Sequence, residues 1–239
     1  MEKKNKIILI SIILVTLCVI GICVYGIINN NDIKETDAVK FQSEYMELND
    51  KVNEMNGKAY VNVTLSDENT VKYVSEAKAA QILEEGTGVI YFGFSTCPWC
   101  RSLVTTLAKV AEAKNETIYY LDVLNIRSTF EVEEGKLNKT REGSKGYYKL
   151  LELLDEKLEE FYLVDEAGNK YDTNEKRLYA PTLVAVEKGE ITGFHVGTVD
   201  SQESGYDKLT DDQIVELEKI VKDLIDSKNK TEVCTKDNC

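Results

Sequence analysis

Val89-Ile90-Tyr91-Phe92-Gly93-Phe94 runs almost directly into Cys97-Pro98-Trp99-Cys100, and no other stretch of the chain narrows its fold so far. A continuous apolar run of this length fits a strand covered on both faces in the middle of a sheet. Pro98 fits the first position of a helix, where its missing N–H is not needed, so Cys97 becomes the residue that caps the helix. Free backbone N–H groups and the positive end of the helix dipole stabilise a thiolate there, drawing its pKa below the free value of about 8.5. Cys100 lies one turn further on, within reach of a disulfide. The chain has only two prolines, and the second stands in Ala180-Pro181-Thr182.

The flanking patterns predict an α/β domain. Val104, Leu107, Ala108 and Ala111 mark the buried stripe of the helix that Cys97 caps, and Ile118 to Val123 reads as the next strand. The β–α–β order gives a parallel pair and sets the cysteines at the carboxyl end of a central strand, where open α/β sheets place their sites. Upstream, Phe41, Tyr45, Leu48, Val52 and Met55 predict an amphipathic helix over 41–56. Alternation from Ala59 to Leu65 predicts the first strand, and Ser75 caps a helix that Gly86 stops. Downstream, residues 125–143 read as a charged surface insertion, followed by a helix with Tyr147, Leu150, Leu151, Leu154 and Leu158 on one side. A hairpin turning at 165–169 precedes two antiparallel strands, Thr182 to Val186 and Ile191 to Val196. Thr210 and Gln213 make a capping box for the last helix. His195, the lone histidine, falls in a strand pattern and is expected to pack there rather than to ligate.

At the start, Lys3, Lys4 and Lys6 precede an uncharged apolar stretch from Ile7 to Ile28, long enough for the roughly 20 residues that span a bilayer. Lysines on that side alone put residues 1–6 in the cytoplasm and the bulk of the chain outside it, at the cell membrane. A cleaved signal peptide is the competing reading, but its apolar core is shorter and ends at a small-residue cleavage site that this stretch lacks. The expected organisation is a transmembrane signal anchor at 7–28, a polar stalk at 29–40, a folded domain at 41–228 with its core from 59, and a tail at 229–239. Without residues 1–28 the chain holds 26 basic and 41 acidic residues, a charge of about −15. So acidic a domain repels nucleic acid and anionic lipid, which excludes both as partners.

In the order strand, Cys-x-x-Cys helix, strand, helix, X-Pro strand, hairpin, helix, residues 59–228 resemble the thioredoxin fold, a three-layer α/β arrangement with a central mixed sheet flanked by helices. The resemblance rests on Phe92 through Cys100 and on Ala180-Pro181-Thr182-Leu183. Glu44-Tyr45, Tyr91-Phe92-Gly93-Phe94 and Cys97-Pro98-Trp99-Cys100-Arg101 are also similar to membrane-anchored thioredoxin-like proteins of Gram-positive bacteria, some of which are called bacteriocin transport accessory proteins. What the resemblance implies is a thiol–disulfide oxidoreductase with no cofactor and no metal, Cys97 being the nucleophile and Cys100 the resolving thiol. It further implies a cis Pro181 facing that redox-active pair, and a substrate strand lying against Ala180, Pro181 and Trp99. Exported proteins with thiols or disulfides would be the substrates, and a membrane electron-transfer partner or an extracellular oxidant would regenerate the pair. A role accessory to bacteriocin export or maturation follows from the same likeness. One position departs: where cytosolic thioredoxins carry a buried acid, this chain has Tyr91, a phenol with a pKa near 10 and a poor base. Reduction by the usual thioredoxin route would then need Glu84, Glu85 or a water as a substitute, and Arg101 is expected to hold its charge in solvent beside the pair.

Other readings stay open. Cys234 and Cys239 form a local second disulfide, or exchange with Cys97 and Cys100 as a relay. These four thiols could instead close a zinc site, although Pro98 and the cap position speak for redox chemistry. Cys18 and Cys23, inside the apolar stretch, are read as inert side chains. The alternative function is a non-catalytic adapter or chaperone-like domain that binds extended peptide beside Pro181.

Overall fold

Strands buried on both faces need helices on both faces, and the chain supplies them. The computed structural model describes Thr16, residues 35–165 and residues 167–228. Residues Met1–Thr36 and Asp37–Cys239 form separate units, and the fold is that of the second. In chain order its elements are α1 (Asp37–Met46), β1 (Val71–Tyr73), α2 (Glu76–Glu85), β2 (Gly88–Gly93), α3 (Pro98–Lys114) and β3 (Ile118–Asp122). There follow β4 (Thr129–Glu133), β5 (Lys136–Arg141), α4 (Lys145–Leu153), β6 (Glu159–Val164), β7 (Lys170–Arg177), β8 (Thr182–Glu187), β9 (Glu190–Val196) and α5 (Asp211–Ser227).

The central sheet has five strands in the order β1-β3-β2-β8-β9. β3 runs parallel to β1 and β2, while β8 is antiparallel to both β2 and β9, so the sheet is mixed. Alternation along the strands sorts the core into two layers. Val89, Tyr91, Ile118, Tyr120, Leu183 and Ala185 pack with α1, α3 and α5; Ile90, Phe92, Leu121, Val184 and Val186 pack with α2 and α4. The caps behave as their residue types predict: Ser75 receives the Lys78 N–H, and Thr210 and Gln213 close a capping box on α5.

Several boundaries differ from the sequence expectations. The first helix spans Asp37–Met46, so it takes in the end of the expected stalk and excludes Leu48, Val52 and Met55, the last 95% exposed. Asn49 and Asp50 end it: Asp50 has φ 60°, and the Asn49 side chain is engaged elsewhere. Its amide donates to the Val63 carbonyl and accepts the Val63 N–H, both at 2.9 Å. That contact also explains why Ala59–Leu65 is not a strand. Val63 and Leu65 are buried as the alternation predicts, but the backbone bonds to a side chain, apart from a single bridge between Val52 and Ala59. The edge strand is Val71–Tyr73 instead, three residues long and too short to show a period. The expected insertion at 125–143 folds as the β4–β5 hairpin, outside the central sheet. The expected anchor at 7–28, residues 29–34 of the stalk, Cys18, Cys23 and the tail with Cys234 and Cys239 lie outside the described residues, apart from Thr16. Among the described residues no helix is long and apolar enough to cross a membrane.

Candidate functional site

β2 is buried along its whole length and delivers the chain to the carboxyl edge of the sheet. Cys97 then takes an extended conformation, φ −79° and ψ 119°, as N-cap of α3, with Pro98 in the first turn. Its sulfur accepts the Cys100 N–H at 3.4 Å, the place a capping oxygen takes in other helices. On its other side the thiol donates to the Ala180 carbonyl at 3.2 Å, and the Ala180-Pro181 peptide bond is cis. Two segments 83 residues apart thus meet at one sulfur.

Both thiols are free, and their surroundings differ. Cys97 keeps 5% of its surface exposed and Cys100 none. The side chain of Cys100, then the N–H groups of Cys100 and Trp99 and the charge of Arg127, hold Cys97 below the ordinary thiol range against the opposing effect of burial. Burial pushes the Cys100 thiol well up, the Cys97 sulfur adds to the push, and the Tyr91 hydroxyl pulls back. The surroundings thus separate the two thiols, favouring the ionised form at Cys97 over that at Cys100.

Trp99, Ala180 and Pro181 come together with Tyr179, Val196 and Gln202 around a groove of about 340 Å³. One wall is the loop after β9, pinned by the buried Gln202. Its Oε1 accepts from the Thr198 hydroxyl at 2.5 Å, and its Nε2 donates to Ser102 Oγ at 3.1 Å and to the Ser204 and Asp207 carbonyls at 3.0 Å. Gly205 lets this loop lie on the start of α3, since a Cβ there would stand 2.7 Å from the Trp99 nitrogen.

Two sequence expectations are corrected at the site. Arg101 is not in solvent; it is 1% exposed. Its guanidinium donates to the carbonyls of Tyr45 (2.7 Å) and Val61 (2.9 Å) and to Asn49 Oδ1 (2.8 Å), tying α1 and the extended 59–65 segment to α3. Glu84 and Glu85 are no substitute for a buried acid. They end α2, before β2 begins, and are exposed, Glu84 pairing with Lys149 at 3.2 Å. His195 is partly buried in β9, its Nε2 2.8 Å from the Thr198 carbonyl, and burial lowers its pKa.

Sequence reading missed Arg127. It follows β3, lies 4.8 Å from the centre of the Phe94 ring and contributes to lowering the Cys97 pKa. Inside a charged stretch nothing marks it out. Among the described residues no group of three His, Cys, Asp or Glu side chains is placed to hold a metal. The chain matches no protein-family model, no curated protein and no solved structure.

Proposed function

We propose that this domain is a thioredoxin-like thiol–disulfide oxidoreductase, held outside the cytoplasm by the apolar segment at 7–28 and exchanging disulfides with exported proteins. The observation that carries the reading is the Cys97 sulfur set between the helix N–H of Cys100 and the carbonyl of Ala180 beside cis Pro181. In the reducing direction the Cys97 thiolate attacks one sulfur of a substrate disulfide. The substrate S–S bond breaks, its other sulfur leaves with the electron pair and takes a proton, and a mixed disulfide remains. Cys100 then bonds to the Cys97 sulfur, releasing the second substrate sulfur as a thiol. The substrate gains two electrons and the cysteine pair loses them. Reversed, the same steps oxidise a dithiol, and the reduction potential of the regenerating membrane partner or oxidant sets the direction. The groove beside Trp99 and Pro181 suits an extended substrate strand. A role accessory to bacteriocin export is the narrower form of this proposal, and it rests on the sequence resemblance alone.

The test is turnover of a disulfide-linked fluorescent peptide by the full chain. Wild type is expected to reduce it in the presence of dithiothreitol and Cys97→Ser to be inactive; after pre-reduction and removal of the dithiothreitol, Cys100→Ser with the four cysteines outside the pair also replaced by serine is expected to stop at a covalent adduct of one peptide per chain, seen by mass. No turnover by wild type, with undiminished peptide binding by the double serine variant, would replace the enzyme with the adapter.

A further inference from the structure

Cys100 must shed its proton as it attacks, yet none of its surface meets solvent. The titratable and charged groups that face it come from every element around it: Cys97 at the start of α3, Tyr45 from α1, Tyr91 from β2, Tyr120 from β3 and Arg127 after β3. The acids that act on this cluster act on its tyrosines. Glu44 accepts from the Tyr73 hydroxyl at 2.5 Å, and Asp122 acts on Tyr120.

Among these groups Tyr91 stands out by geometry. Its hydroxyl is 2.7 Å from that of Tyr45, it is buried in the same core cluster as Cys100, and it acts electrostatically on the Cys100 thiol. The ring folds along its own strand over Gly93, toward the end of β2 that leads to the cysteines, and a Cβ at Gly93 would stand 2.4 Å from the phenol oxygen. A glycine two residues on is therefore what opens the way from the middle of β2 to its end. Tyr120, its register partner on β3, backs the ring at 5.2 Å. Both phenols that form the chain are wholly buried.

We propose that Tyr91 is a catalytic residue and Tyr45 a positioning residue behind it: Tyr45 donates to Tyr91, and Tyr91 donates to the Cys100 sulfur as that sulfur becomes the resolving thiolate. The proposal rests on the redox reading above. Burial and the nearby Cys100 charge keep the Tyr91 phenol protonated well above pH 10, so it acts as a donor and not as a base. The proton of Cys100 ends on the departing substrate sulfur. A new bond joins Cys100 Sγ to Cys97 Sγ as the bond from Cys97 to the substrate breaks, and the electron pair leaves with the substrate. A phenol bonded to the anion stabilises the charge that desolvation penalises, which is the largest obstacle to this step.

The experiment is stopped-flow reaction of the reduced full chain with 5,5′-dithiobis(2-nitrobenzoate) between pH 5 and 9, every protein compared carrying Cys18→Ser, Cys23→Ser, Cys234→Ser and Cys239→Ser so that only Cys97 and Cys100 release dye. The first release of dye reads attack by Cys97, and the second reads resolution by Cys100. Tyr91→Phe, which keeps the ring, is expected to slow the second phase roughly ten- to hundredfold at pH 7, the worth of one hydrogen bond to a charged group. Its pH profile should move upward while the first phase stays within about twofold. Tyr45→Phe should slow the second phase less, in the same direction. A second phase unchanged in Tyr91→Phe overturns this assignment and leaves the redox reading standing, as do both phases falling together in the two variants, which would mark loose packing. A parent protein, both tyrosines in place, with a first phase and no second overturns the resolving role of Cys100, and with it the role given to Tyr91.

Discussion

Arg127 and Arg101 show how little the nature of a side chain says about its use. Both are cations close to Cys97 and Cys100. Arg101 is next to Cys100 in sequence, but its donors are committed to carbonyls and an amide, so it fastens α1 to α3. Arg127, 27 residues beyond Cys100 in the numbering, is the one whose charge reaches the Cys97 sulfur. Since Cys97 is held below the ordinary thiol range, its alkylation by iodoacetamide should rise with pH and level off below the midpoint of a free cysteine. Arg127→Met removes one support of the thiolate, so the midpoint should move upward. The rate at pH 7 should then fall about two- to fivefold, the worth of a partly exposed charge pair. An unchanged profile would mean that the helix N–H groups hold the thiolate without help from that charge.

At the scale of elements, the loop after β9 is the least anticipated part of the site. It has no periodicity, and its order comes from one buried amide, Gln202, bonded across to Ser102 on α3. Gln202→Ala leaves buried partners unsatisfied and should cost about 1–3 kcal/mol in urea denaturation. Amide hydrogen exchange should speed up over 198–207, while the Cys97 alkylation midpoint stays in place. Equal acceleration in β2 would show instead that the loop and the sheet open together. The central elements were legible because each carries a local signal: the apolar run of β2, Pro98 after a capping cysteine, the capping box of α5. Ala59–Leu65 misled because alternation reports which side chains are buried and not what the backbone bonds to, and Asn49 took the place of a neighbouring strand. Cys97, Cys100, Trp99 and Pro181 could be named from sequence because their residue types are rare or conformationally special. Tyr45, Arg127 and Gln202 are common residues given meaning only by what the fold places beside them.

For the molecule as a whole, the sheet divides the domain into two layers, and both cysteines belong to the one that holds α1, α3 and α5. Around them the chain carries a net charge of −13. At low ionic strength that field should make cationic cystamine oxidise the reduced pair faster than anionic oxidised glutathione. The gap should narrow as salt rises and the screening length falls below about 10 Å; a gap indifferent to salt would assign the preference to contacts in the groove. The unequal exposure of the two sulfurs has one more consequence. Of the two sulfurs of the pair only that of Cys97 meets solvent, so a peroxide would oxidise it first, and Cys100, one helical turn on, is the thiol to condense with the sulfenic acid. Condensation expels water and closes a disulfide, so the climb toward sulfinic and sulfonic acids is cut short at its first, reversible rung. The depth at which Cys100 is set would then spare the pair from irreversible oxidation.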